Sequence, residues 1–110
     1  METSARQVNE QHLQLLIDRI VEAVHPLRII MFGSAARGEM GPDSDVDLLV
    51  VVPDGTHRLR TMQFLHTQFF GIPFAVDILV ATPSDLVRHR DNVGLIYHTI
   101  VREGREIYAA

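Results

Sequence analysis

Residues 33 to 52 read GSAARGEMGPDSDVDLLVVV. A glycine–serine pair, Gly33 and Ser34, is followed after ten residues by Asp45 and Asp47, and the second aspartate runs straight into Leu48, Leu49, Val50, Val51 and Val52. The apolar run predicts a strand over Val46 to Val52, and its density predicts a central strand covered on both faces. Side chains two apart in a strand share a face. Asp45 and Asp47 therefore present two carboxylates side by side at the mouth of a buried strand. That arrangement is costly unless something compensates the charge. A divalent cation is the usual compensation, and magnesium favours oxygen ligands shared between carboxylates and substrate phosphates. A lone Asp-x-Asp would be read as a turn cap followed by a solvated residue. The apolar strand behind this one argues against that.

Working outward, Leu27 to Phe32 is a short apolar run that predicts the preceding strand, closed by Gly33. Ser34 to Gly38 reads as one helical turn, and Gly41 and Pro42 mark a turn within Glu39 to Ser44. Ahead of these, Leu13, Leu16, Ile17, Ile20, Val21 and Val24 form one stripe of a helix that Pro26 ends. After Pro53, Asp54 and Gly55, the spacing of Leu59, Met62, Leu65 and Phe69 predicts a second long helix stopped at Gly71. Phe74 to Ala81 is a third strand. Thr82 and Pro83 are placed as N-cap and first residue of another helix. Val93 to Val101 reads as helical, with a stop at Gly104 and a short edge strand over Glu106 to Ala109. The expected fold class is α/β, a small mixed sheet of three to four strands flanked by helices, in one domain over residues 1–110.

Asp77 repeats the anomaly of Asp47. It interrupts Phe74, Ala75, Val76, Ile78, Leu79 and Val80. If the two strands are neighbours, three carboxylates meet at one place, and two metal ions sharing them would bind a triphosphate and activate an attacking hydroxyl. The competing reading is an ion pair between Asp77 and an arginine. Gly33 lets backbone approach a ligand, and successive N–H groups after it can cradle phosphate. Ser34 adds a hydroxyl donor, unless it serves as a helix N-cap. Arg37 is either a bidentate phosphate contact or a solvated side chain. Ser44, just before Asp45, is counted with the nucleotide-binding candidates. Gly-Ser and Asp-x-Asp fix four positions. At about 5% per residue type, a chance match in a chain this long is on the order of one in a thousand.

The stretch GSAARGEMGPDSDVDLLVVV resembles the signature of the DNA polymerase beta-type nucleotidyltransferase superfamily. The short length and the later VDILV resemble its minimal nucleotidyltransferase branch, over nearly the whole chain to the terminal IVREGREIYA. The resemblance implies that Gly33 and Ser34 bind the triphosphate and that Asp45 and Asp47 hold two magnesium ions. Asp77 would complete the catalytic metal site and help deprotonate the acceptor. It also implies a partner. Many members of this branch are antitoxins that transfer AMP from ATP to a tyrosine of a small helical HEPN ribonuclease toxin.

Composition narrows the field. The formal net charge is −4 and all ten basic residues are arginines, a poor balance for holding long nucleic acid. No cysteine is present, so disulfides and thiolate metal sites are excluded. No stretch reads as a signal peptide or membrane span, and a cytoplasmic protein, alone or in a homo- or hetero-oligomer, is the expectation. The six histidines, among them His57, His66 and His89, lack short metal-ligand spacing. Arg88, His89 and Arg90 are read as a solvated helix face, and Tyr97 and Tyr108 as packing residues. Two other functions stand beside the antitoxin enzyme. One is a transferase acting on a small molecule of the aminoglycoside type, for which a second chain must supply half the acceptor pocket. The other is a non-catalytic antitoxin that blocks its partner by contact, whose mark would be a lost metal carboxylate.

Overall fold

The computed structural model describes residues 10–38, 45–88 and 94–110. Four strands form one mixed sheet in the order β3-β2-β1-β4. These are β1 (Arg28–Phe32), β2 (Val46–Val51), β3 (Val76–Ala81) and β4 (Arg105–Ala109). β1 runs antiparallel to both β2 and β4, whereas β2 and β3 are parallel. Helix α3 (Arg58–His66) makes the crossover that parallel neighbours require. The α/β class and the mixed sheet match the expectation.

One face of the sheet carries the larger core. Leu13, Leu16, Ile17 and Ile20 of α1 (Glu10–Val24) pack there with Leu65 of α3, against Ile29, Met31, Val46, Leu48, Val50, Val76, Ile78 and Val80. The opposite face carries a smaller cluster of Ile30, Leu49, Val51, Ala81 and Ile100, with Tyr97 packed against it. Ile100 comes from α5 (Gly94–Glu103). As expected of an inner strand, β2 is buried almost throughout. Among the described residues no helix is long and apolar enough to cross a membrane.

The expected second long helix is shorter than its periodicity suggests. α3 ends at His66, and Phe69 lies beyond it. Thr67 closes the last turn, its N–H and its hydroxyl both donating to the Phe64 carbonyl, and Gln68 N–H turns back to Leu65. Such i→i+3 bonds tighten a helix end rather than extend it. Gly71, placed in sequence as the stop, occupies a later turn with φ +82°. Leu59 is 54% exposed, so it is not part of the buried stripe. Arg19 of α1 ties the turns down, donating to the carbonyls of Gln68 and Phe70 with its guanidinium over the Phe70 ring.

Helix α4 (Pro83–Arg88) begins as expected at Thr82-Pro83. Asp85 N–H donates to the Thr82 hydroxyl while Thr82 N–H donates to the Asp85 carboxylate, a reciprocal cap. Gly104 ends α5. A Cβ there would lie 2.5 Å from the Ile100 carbonyl oxygen, 2.7 Å from Ile30 Cγ2 and 2.9 Å from the Met31 carbonyl oxygen. Two of these are backbone atoms that cannot swing aside, so the glycine sets how closely α5 and β4 approach β1. Gly104→Ala is expected to destabilise the fold by about 1–3 kcal/mol, the usual cost of overpacking. Urea denaturation would measure it, and an unchanged midpoint would refute the close-approach reading.

Candidate active site

The topology brings distant parts of the sequence to one end of the sheet. Because β1 runs opposite to β2, its carboxyl end meets the amino end of β2, with Phe32 paired to Asp47. In the parallel ladder between β2 and β3, Asp47 is the register partner of Asp77. Asp45 directly precedes β2. The three aspartates therefore meet where Gly33 leaves β1; the sequence implied this only if the two strands were neighbours, and they are. All three retain access to solvent, Asp77 on the side of β3 turned away from the larger core.

The proximity shows in the protonation of Asp45 and Asp47. Asp45 is raised above the ordinary carboxylate value by hydrogen bonding with Asp77, then by partial burial and the Asp77 charge. Asp47 is raised first by burial, then by the charges of Asp77 and Asp45 and by hydrogen bonding with Asp77. Like charges forced together hold protons more tightly. No described arginine pairs with Asp77, which argues against the ion-pair reading. The described arginine that does meet a buried aspartate is Arg58, 3.1 Å from Asp85 and away from this cluster.

Gly33 adjoins the cluster directly. It has φ +73°, a left-handed conformation that L side chains rarely adopt, and a Cβ on it would lie 2.5 Å from Asp47 Oδ2. The sequence shows a glycine after a strand. The structure adds that the missing side chain makes room for an aspartate. Ser34 is the second residue of the short α2 (Gly33–Ala36), whose N-cap is Phe32, so the N-cap reading of Ser34 does not hold. Arg37 caps the end of α2 and is exposed. With Phe32, Gly33, Thr99, Ile100 and Glu103 it lines a cavity of about 270 Å³ beside the cluster. Ser44 lies outside the described residues, as do His89 and Arg90. His57, unremarkable in sequence, caps α3 by accepting the Arg60 N–H at Nδ1. Only its place before a helix could have signalled that.

The donor set suits a hard divalent cation, being all carboxylate oxygen. Among the described residues no three acidic or imidazole side chains are already closed around one point. Magnesium does not ask for that. It takes one or two carboxylates and completes its shell with water and substrate phosphates. Mutual repulsion of Asp45, Asp47 and Asp77 is the charge that such an ion would neutralise.

Residues 13–108 match the family model of the nucleotidyltransferase domain, and the chain belongs to that family. Two solved structures share the fold. One, from Sulfolobus solfataricus, is described as a proposed nucleotidyltransferase. It is 22% identical with a TM-score of 0.54, covering 71% of this chain and 70% of the other. The second is a mutant of the toxin–antitoxin MntA–HpeT, 20% identical with a TM-score of 0.56, covering 94% of this chain and 75% of the other. No curated protein matches the chain.

The raised carboxylates carry a sign for stability. Between the ordinary carboxylate value and the raised one, the folded chain holds a proton that the unfolded chain has lost. Above the raised value both states are ionised, and the folded state bears the cost of burial and of the repulsion. The wild type should therefore gain stability relative to Asp47→Asn as pH falls through the raised value. In chelator at neutral pH, Asp47→Asn is expected to melt above the wild type, with the gap narrowing as the medium is acidified. A gap that stays constant with pH would contradict the repulsion.

Proposed function

We propose that this nucleotidyltransferase domain moves AMP from ATP to a hydroxyl, a tyrosine of a small helical HEPN ribonuclease toxin, and so acts as its antitoxin. The observation that carries the transfer reading is the in-register pairing of Asp47 with Asp77, with Gly33 packed against Asp47. The partner rests on the resemblance of the sequence. It is supported by the likeness in fold to a structure of the toxin–antitoxin MntA–HpeT.

In this reading two magnesium ions held by Asp45, Asp47 and Asp77 would offset the phosphate charge and make the acceptor hydroxyl easier to ionise. Gly33 lets the triphosphate approach the backbone, and Ser34 donates its hydroxyl to a phosphate oxygen. Arg37, at the end of α2, contacts the phosphates, and Ser44 is counted with the nucleotide-binding residues by its place just before Asp45 in the sequence. Asp77 accepts the proton of the acceptor hydroxyl as its oxygen bonds to the α-phosphorus. The bond from that phosphorus to the bridging oxygen breaks, and pyrophosphate leaves. A cytoplasmic setting fits a chain that consumes ATP and carries no cysteine.

Asp45→Asn and Asp47→Asn are each expected to abolish labelling of a partner by radiolabelled ATP while the fold survives. Near-normal labelling by either would overturn the metal assignment. Ser34→Ala should weaken magnesium-dependent ATP binding by about 1.5–3 kcal/mol, the range for a hydrogen bond to a charged group. Asp77→Ala should cut transfer by orders of magnitude yet bind magnesium-ATP within a few-fold of wild type. If that variant still protected cells from the toxin in full, contact alone would be neutralising it.

A further inference from the structure

β3 lies at one end of the sheet and, among the described residues, pairs with β2 alone. The ladder fixes which of its main-chain groups are engaged. Val46 N–H donates to the Ala75 carbonyl and Val52 N–H to the Ala81 carbonyl, each at 2.9 Å. In a strand the N–H and C=O of one residue point the same way, and successive residues alternate. Asp77 and Leu79 therefore share the inward parity of Ala75 and Ala81. The N–H and C=O groups of Val76, Ile78 and Val80 point away from β2. The side chains of these three are buried in the larger core, so they anchor the strand while its outer edge faces outward. Asp77 and Leu79 stand exposed on the other face.

Natural edge strands are commonly protected by proline, lysine, a bulge or an inward charge. The strand VDILVA has neither proline nor lysine, and its ladder runs without a bulge. Its single charge is Asp77, which the proposed reaction uses. Around the same edge lies an open cavity of about 480 Å³, with Leu59, Met62, Leu79 and Val80 in its wall. Leu59 and Leu79 are both exposed. Arg58, at its rim, is held by Asp85.

We infer that the outer edge of β3 receives the acceptor as an extended polypeptide segment, added to the sheet as a further strand with its hydroxyl residue beside Asp77. The inference rests on the transfer proposed above and names the form its acceptor takes. An added strand lies about 4.8 Å from its neighbour, which brings a side chain on the same face within reach of Asp77. Main-chain bonds to Val76, Ile78 and Val80 give affinity, and alternate side chains give specificity. A residue of the opposite facing, further along the segment, fills the cavity beside Leu59 and Met62 with an apolar side chain. Asp45, Asp47 and Asp77 make this end acidic, in a chain of net charge −4, so a basic residue flanking the hydroxyl complements it. The chemistry is unchanged. The segment's hydroxyl oxygen bonds to the α-phosphorus, its proton passes to Asp77, and pyrophosphate departs.

The test uses the whole chain with magnesium, a non-hydrolysable ATP analogue and a short synthetic peptide alternating tyrosine with valine between terminal arginines. Amide hydrogen exchange followed by NMR should show the N–H groups of Val76, Ile78 and Val80 slowed at least tenfold by the peptide. N-methylating those alternate peptide amides that face β3 should abolish the slowing, and methylating the other set should not. With ATP itself, Leu79→Asp should raise the KM for peptide labelling at least tenfold while its melting temperature stays within a degree or so of wild type. Unchanged exchange at the three amides overturns the inference, as does equal tolerance of both methylation patterns. Slowing without peptide that grows with protein concentration also overturns it, by assigning the edge to a second copy. Transfer to free tyrosine amide is scored in parallel. Its presence alongside unaltered exchange would reject the edge and keep the transferase, whereas its absence with every acceptor would reject the transferase. The exchange readout stands in either case.

Discussion

Asp47 and Asp77 are register partners in a parallel ladder, and that enforced meeting of two carboxylates is the constraint around which the rest is arranged. Left to themselves the side chains would separate. They are held by strands whose other residues have strong reasons to stay. Val46, Leu48 and Val50 of β2, with Val76, Ile78 and Val80 of β3, all face the larger core. Each buried side chain of this kind contributes about 1.5–3 kcal/mol, more than partly exposed carboxylates can undo by repulsion. In the folded state hydrogen bonding with Asp77 raises Asp45 and burial raises Asp47, and the repulsion adds to both. A divalent cation is the partner that would relieve it.

The antiparallel placement of β1 completes the site. Were β1 parallel to β2, Gly33 would emerge at the opposite end of the sheet, far from the aspartates. Reversed, its carboxyl end delivers Gly33 against Asp47. The same strand is pinned on its other side by β4 and by the close approach of Gly104. Thus a packing contact at the end of α5 and the turn at Gly33 lie at the same end of β1, and loosening one is expected to loosen the other.

Much of this was legible in the sequence because it depends on local pattern. The apolar runs marked the four strands to within a residue or two, and a charge inside such a run marked Asp47 and Asp77. Thr82-Pro83 marked a helix start, and Gly104 a helix stop. What the sequence did not carry was pairing. Nothing local says that β2 lies between β1 and β3, or that Arg58 meets Asp85. Periodicity misled over α3, where Phe69 keeps helical spacing but the Thr67 hydroxyl ends the helix first. Ser34 is a helix residue rather than a cap because Phe32 already occupies the cap position. Ser44 lies outside the described residues, so its part in the site stays a matter of sequence.

The proposed function requires Asp45, Asp47 and Asp77 to hold divalent ions together with a nucleotide. The most direct measurement is NMR of the chain with its aspartate carboxyl carbons labelled with carbon-13, titrated with manganese and a non-hydrolysable ATP analogue. Paramagnetic broadening is expected at Asp45, Asp47 and Asp77 together, at substoichiometric metal, while Asp18, Asp54 and Asp85 stay sharp. Broadening that spares Asp77, or that spreads evenly over all the aspartates, would contradict a shared metal site at the ends of β2 and β3.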